Sequence, residues 1–365
     1  MAVQTDPGTD AGLELADHVV SLVRARAADA EVEVTVRQGV DALTRFATGF
    51  IHQNVASDVN HVLIRIALDG RNASTSVDGP ADDETLGRAI DGIARTSTAD
   101  GSGRRTSVRL GDLDGAAVGE RAARKARDAS NPTELSPGRY EVVLEPDCVA
   151  NILSFLLIAG FNGKAVEEGR SFAVVGDAQF DRAITLREDV TDPDSLGVAF
   201  DVEGTPKLPF DLVHDGVTRG LLQTRRTGRA AGVPSTGHAV EGGATWGALG
   251  ANLVLRSGSL TTDELVAGME RGILVTDFWY TRILDPKTQV VTGLTRNGVW
   301  LVEDGRVVRP VTNLRFTQSF LDALGPGNVR GASSDRALLL AGWDSIYLVP
   351  SLHLASWNFT GGAKG

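Results

Sequence analysis

The chain has 365 residues with a formal net charge of −11, 42% hydrophobic and 23% charged residues. This is a globular composition with length enough for two or three domains, and it argues against a disordered chain. The acidic balance opposes sequence-independent nucleic-acid binding, which needs a basic face to release counterions. The short basic runs Arg104-Arg105 and Arg225-Arg226 read as solvated chain ends. There is one cysteine, Cys148, so neither an intrachain disulfide nor a multi-cysteine zinc cage can form, and a reducing cytoplasm is the expected compartment. The first ten residues carry no basic, apolar leader pattern. The longest strongly apolar run, Ile152 to Phe161, falls short of the ~20 residues a membrane span requires. No membrane or nucleic-acid partner is therefore expected.

In chain order, Leu15, Val19, Leu22 and Val23 recur at helical spacing and predict a helix over 11–28. Residues 31–37 alternate strictly, as a half-buried strand does, and further strands are expected near 42–48, 50–56 and 59–68. Asp69-Gly70 marks a hairpin into Ser74–Val77, and Asp82 can cap a helix near 83–97. Residues 98–108 read as a linker. A third helix, near 116–129, ends before Asn131-Pro132 and Ser136-Pro137-Gly138. The domain boundary is placed near residue 135, giving an N-terminal α+β domain (1–135) and a β-rich, barrel-like C-terminal domain (136–365) with a few helices. In the latter, His214-Asp215-Gly216 and Glu303-Asp304-Gly305 are hairpin signals, and helices are expected at 150–161, 262–271 and 317–324. The fold class is thus α+β, with an N-terminal antiparallel sheet covered by helices.

Zinc hydrolysis needs about three imidazole, thiolate or carboxylate ligands and an open position for water. Six histidines are present, and no two lie closer than nine residues, so no pair shares one helical face at ligand spacing. The best remaining pair is His238 with Glu241, in Ser235-Thr236-Gly237-His238-Ala239-Val240-Glu241. Two readings stand side by side: a polar site on a Gly-rich loop, and a turn-rich connection with a solvated histidine, the second being favoured. Cys148 has no histidine near it in sequence and reads as a buried, inert thiol. Gly325-Pro326-Gly327 reads as a helix-ending loop rather than a dinucleotide loop, and no Gly-x-Ser-x-Gly elbow is present.

The order of several segments resembles the TldD/PmbA (TldE) family. The β-rich Val142-Val143-Leu144 runs into the apolar helix Ile152–Phe161 and on to Lys164-Ala165-Val166-Glu167-Glu168-Gly169-Arg170. Gly204-Thr205-Pro206 is followed by the His214-Asp215-Gly216-Val217 hairpin. Gly228 to Ala239 contains Ser235-Thr236-Gly237-His238, and Thr292 to Gly305 contains Arg296 and Trp300-Leu301-Val302-Glu303-Asp304-Gly305. The resemblance covers most of the chain and is weakest over 98–130. In the TldD branch the helix carries His-Glu-x-x-x-His, with a further ligand from a C-terminal cysteine. Those three helix positions fall here on Ser154, Phe155 and Ala159, and no cysteine follows Cys148.

The resemblance therefore implies a TldE/PmbA-like, metal-free subunit without a catalytic site of its own. Zinc is expected only in a TldD-like partner. The implied assembly is a heterodimeric metallopeptidase acting on unfolded peptides, in a family also associated with modulation of DNA gyrase. Ser235, Thr236, Gly237, His238 and Glu241 form the candidate peptide-binding loop. A homodimeric peptide-binding or scaffold protein and a stand-alone hydrolase are the alternatives.

Overall fold

The computed structural model describes residues 7–47, 50–68, 71–78, 82–96, 115–341 and 345–362. The chain divides into two compact units, 1–101 and 102–365.

In the first unit, α1 (Pro7–Arg26) precedes a three-stranded antiparallel sheet of β1 (Glu31–Ala47), β2 (Phe50–Leu68) and β3 (Arg71–Asp78), and α2 (Asp83–Thr96) follows. The short strands expected over 31–68 join into two long ones, paired along their length with Glu31 opposite Ala67 and Ala47 opposite Phe50. Long-range pairing here overrides local breaks in alternation. Val62, Ile64 and Ile66 alternate along β2 and bury against Val19 and Val23 of α1 and Leu86 and Ile90 of α2. Asp82 caps α2 as expected, accepting a bond from the Thr85 amide at 2.8 Å. The Asp69-Gly70 turn, the 98–108 linker and Arg104-Arg105 lie outside the described residues.

The second unit opens with α3 (Gly115–Asp128), which the sequence reading set before a boundary near 135. The physical tie is specific: the Lys125 ammonium bonds the Glu145 carboxylate and, at 3.2 Å, Thr276 Oγ1, while Trp300 Nε1 donates to the Asp128 carbonyl at 3.3 Å. Next come β4 (Gly138–Leu144), α4 (Pro146–Ala159), α5 (Gly163–Glu167), β5 (Leu186–Glu188), β6 (Phe210–His214) and β7 (Val217–Thr218). The chain continues through α6 (Arg225–Ala231), α7 (Gly243–Trp246), β8 (Asn252–Leu255) and α8 (Thr262–Ala267). It closes with β9 (Arg271–Asp285), β10 (Val290–Glu303), β11 (Arg306–Pro310), β12 (Leu314–Ser319), α9 (Phe320–Leu324), β13 (Val329–Ala341) and β14 (Ser345–Gly362).

β9, β10, β12, β14 and β4 pair in a closed ring, a five-stranded barrel in which only β4–β9 is parallel. Closure leaves no free edge on those five strands. Phe278, Phe316 and Trp357 pack together with centroids 4.5–5.3 Å apart, and Phe320 of α9 adds to the cluster. β14 is long enough to serve twice. Its second half belongs to the barrel, and its first half pairs with β13 and β8, carrying the sheet on through β5, β6 and β7. Both expected hairpins form, with Asp215 and Asp304 in the left-handed region that a two-residue turn requires. Gly325 ends α9, as the loop reading anticipates. Among the described residues no helix is long and apolar enough to cross a membrane.

Candidate functional site

Helix α4 starts where β4 ends. Glu145 is its N-cap and Pro146 occupies the first turn, where a missing N–H costs nothing. Cys148, Val149, Ile152, Leu153, Leu156 and Leu157 are buried, so the helix is apolar around most of its circumference and packs on β9 and β14. The three positions matched to the family's metal motif carry no ligand chemistry. Ser154 Oγ donates to the Asn151 carbonyl at 2.7 Å. Phe155 sets its ring edge-on to Phe320 at 5.8 Å. Ala159 is buried. A hydroxyl already spent on the backbone, a phenyl ring and a methyl group do not fit zinc. Among the described residues no three His, Cys, Asp or Glu side chains gather as a metal-binding group. Cys148 is buried under β9 with Sγ 3.7 Å from the Val275 carbonyl. Burial, and then the carboxylates of Asp277, Glu145 and Asp147, push its thiol well above the ordinary range.

The C-terminal end of α4 is tied to a cavity. Asn162, fully buried, donates to the Ile158 carbonyl at 3.3 Å and to the Trp246 carbonyl at 2.6 Å, and accepts from the Lys164 and Ala248 amides. The side chain thus clasps the 246–248 backbone against the helix. Trp246, Leu249 and Gly250 then form one wall of a cavity of about 630 Å³. The segment 198–207 forms another wall with Val198, Phe200, Asp201, Val202 and Lys207, and His238, Val240 and Glu241 line it from the Gly-rich loop.

This corrects the solvated-histidine expectation. His238 is 1% exposed, because the loop folds inward over 198–207 instead of running across the surface. Its Nδ1 lies 2.9 Å from Thr236 Oγ1, and Phe210 meets its ring edge-on. The carboxylate beside it is not Glu241, which is exposed at the cavity lining, but Glu188. Glu188 Oε2 sits 3.2 Å from Nε2, off the direction a hydrogen bond needs. Ser235 and Thr236 shape the loop: both hydroxyls bond the Gln223 backbone. Gly237 has φ +75°, and a Cβ there would meet the Pro206 and Thr205 carbonyls within 3 Å, so only glycine permits this approach. Of the five loop residues, His238 and Glu241 face the cavity while Ser235, Thr236 and Gly237 hold the loop in place.

Three charged residues escaped the sequence reading. Glu188 is 2% exposed and takes the Ala251 and Asn252 amides on its two oxygens. Asp201 takes the Glu203, Thr205 and Ala239 amides. Lys207 is 7% exposed, and burial lowers its pKa below the usual lysine value, partly offset by the Asp201 and Glu188 charges. The one available signal was the position of Lys207 directly after the Gly204-Thr205-Pro206 turn.

Residues 137–361 match the family model described as the PmbA/TldA metallopeptidase C-terminal domain. A Haemophilus influenzae protein named "Metalloprotease PmbA homolog" is 29% identical over 57% of this chain and 44% of its own length. A Methanothermobacter thermautotrophicus "Metalloprotease" is 24% identical over 60% of this chain and 48% of its own. The matched part thus spans less than half the length of these curated relatives. Among solved structures, TldE from Thermococcus kodakarensis superposes with a TM-score of 0.62 at 16% identity, covering 95% of this chain and 99% of that one. A Thermotoga maritima protein described as a candidate modulator of a DNA gyrase gives the same TM-score and identity, covering 94% and 100%. At such identity the two structures speak for the fold. With the barrel and the family match over most of the second unit, the chain belongs to the PmbA/TldD/TldE family of metallopeptidase-related proteins.

Proposed function

We propose that this chain is the metal-free, TldE-like subunit of a heterodimeric TldD/TldE-type zinc peptidase that acts on unfolded peptides in the cytoplasm. One observation carries the reading: the helix that bears the zinc motif in the TldD branch is here a packing element, with Phe155 on Phe320 and Ala159 buried. Replacing ligands by packing groups preserves the fold while removing the Lewis acid, so hydrolysis falls to a partner that holds the metal. What this chain contributes is shape and binding surface. The loop from Ser235 to Glu241 is the candidate element for holding peptide, since it places Glu241 and the buried His238 on one cavity.

Coexpression with a TldD-like chain bearing His-Glu-x-x-x-His tests the proposal. A tagged copy of this chain should retain that partner through size exclusion at one-to-one stoichiometry, and unfolded peptide should be cleaved by the pair only. Emergence as a homodimer indifferent to the partner would support a scaffold role instead. Peptide hydrolysis by the isolated chain, lost in His238→Ala, would support a stand-alone hydrolase.

A further inference from the structure

We infer that the cavity between the 198–207 segment and the 238–251 loop is a binding site for a carboxylate carried on an apolar body, with Lys207 as the group that recognises it. Three observations converge. The first is a charge without a contact partner. Lys207 lines the cavity and is 93% withdrawn from solvent, yet among the described residues its ammonium makes no hydrogen bond and no ion pair within 4 Å. The ammonium opens onto the cavity with no contact partner, so an anion entering there gains a direct charge-assisted bond in a site largely withdrawn from bulk water.

The second is that the neighbouring carboxylates are already spent. Asp201 accepts three backbone amides and Glu188 two, each at 2.8–3.0 Å, so these groups stabilise the surrounding turns and are not oriented to neutralise Lys207. Their charges act on Lys207 only at a distance. The third is the character of the walls. Phe200, Val202 and Trp246 line the same cavity while 67%, 63% and 46% exposed, an apolar rim around a polar interior. That arrangement takes an apolar body at the mouth and one negative group inside. Glu241 at the lining disfavours a second negative group, which selects monocarboxylates over dicarboxylates.

The chemistry is shared by a free aliphatic or aromatic acid and by the C-terminus of a polypeptide ending in an apolar residue, and the assay separates them. It stands independently of any TldD-like partner. Purified full-length chain is titrated with N-acetyl-phenylalanine, its carboxamide, and phenylacetate, followed by calorimetry and by ligand-observed NMR. The acid is expected to bind at least about tenfold more tightly than the carboxamide, the ratio for one charge-assisted bond of ~1.4 kcal/mol or more. Lys207→Met should abolish that ratio, while Phe200→Ser should weaken acid and carboxamide alike and preserve it. Phenylacetate binding as well as N-acetyl-phenylalanine identifies a free-acid site. A clear preference for the acylated amino acid identifies a chain terminus. Equal affinity of acid and carboxamide, undiminished binding in Lys207→Met, or no binding of either acid at 10 mM, a concentration ~10-fold above a weak millimolar affinity, overturns the proposal. Should the Lys207 variant fail to fold, the wild-type ratio decides alone.

Discussion

Lys207 and Cys148 are two titratable side chains that the fold draws away from water, and each has a distinct consequence. Burial holds the Lys207 pKa below its unfolded value, so the unfolded chain binds the extra proton between the two values and stability rises as pH climbs through that interval. Lys207→Met should therefore raise the melting temperature at pH 7, by a margin that shrinks as pH approaches 10. Thermal melts at pH 7 and pH 10 check this, and an unchanged or lowered melting temperature at pH 7 counts against the account of an unpaired buried charge. Cys148 differs, since burial keeps it a neutral thiol. A disulfide reagent at pH 8 should leave the native protein unlabelled and react with one equivalent per chain only after denaturation, because the thiolate is the nucleophile. Fast native labelling would show that α4 is not seated as described.

Helix α4 and the backbone clasped to its end form the element on which the functional reading turns. Gly247, at φ +87°, lies so close to Asn162 that a Cβ would fall 2.2 Å from its Oδ1. Gly247→Ala should break the Asn162 clasp and cost on the order of 1–3 kcal/mol, the penalty of leaving buried polar groups unsatisfied and of strain at positive φ. Urea denaturation reads this directly, and a cost below the error of the midpoint would mean the clasp is not rigid. Ala159→His should likewise destabilise, by about 1–3 kcal/mol, since a buried methyl has no room to become a ring.

Much at this scale is legible in the sequence. The apolar run marks the helix that becomes α4, and the threonines at 261 and 262 mark the start of α8, where the structure shows Thr261 as the N-cap. Asp215-Gly216 and Asp304-Gly305 mark hairpins by turn chemistry alone. The cavity is not legible in this way. Glu188, Asp201, Lys207 and His238 come from segments up to 50 residues apart, and nothing local announces that a Ser-Thr-Gly-His loop folds inward. Asp201 takes the Glu203 and Thr205 amides in a local Asx-type turn, but its bond to the Ala239 amide, from a distant loop, has no short-range signature.

For the whole molecule, the barrel is the scaffold of the second unit and the net negative charge bears on which partners can approach. Sheet closure depends on pairings between strands distant in sequence, such as β4 with β14, so the β-rich character of the second unit is legible from short strands and hairpin signals but the strand order is not. Trp357→Ala, which removes the ring packed on Phe278 and Phe316, should cost ~3–5 kcal/mol in a denaturant melt of the second unit. A net charge of −11 predicts no detectable duplex-DNA binding by this chain alone at ~0.15 M salt, and a salt-dependent gel shift would contradict that. On the proposed function, the metal resides in the partner subunit. The most direct measurement of this is quantification of zinc in the isolated chain and in the complex copurified with a TldD-like subunit. A metal-free subunit should show no zinc alone and one equivalent per one-to-one pair; stoichiometric zinc retained by the isolated chain would rule that role out.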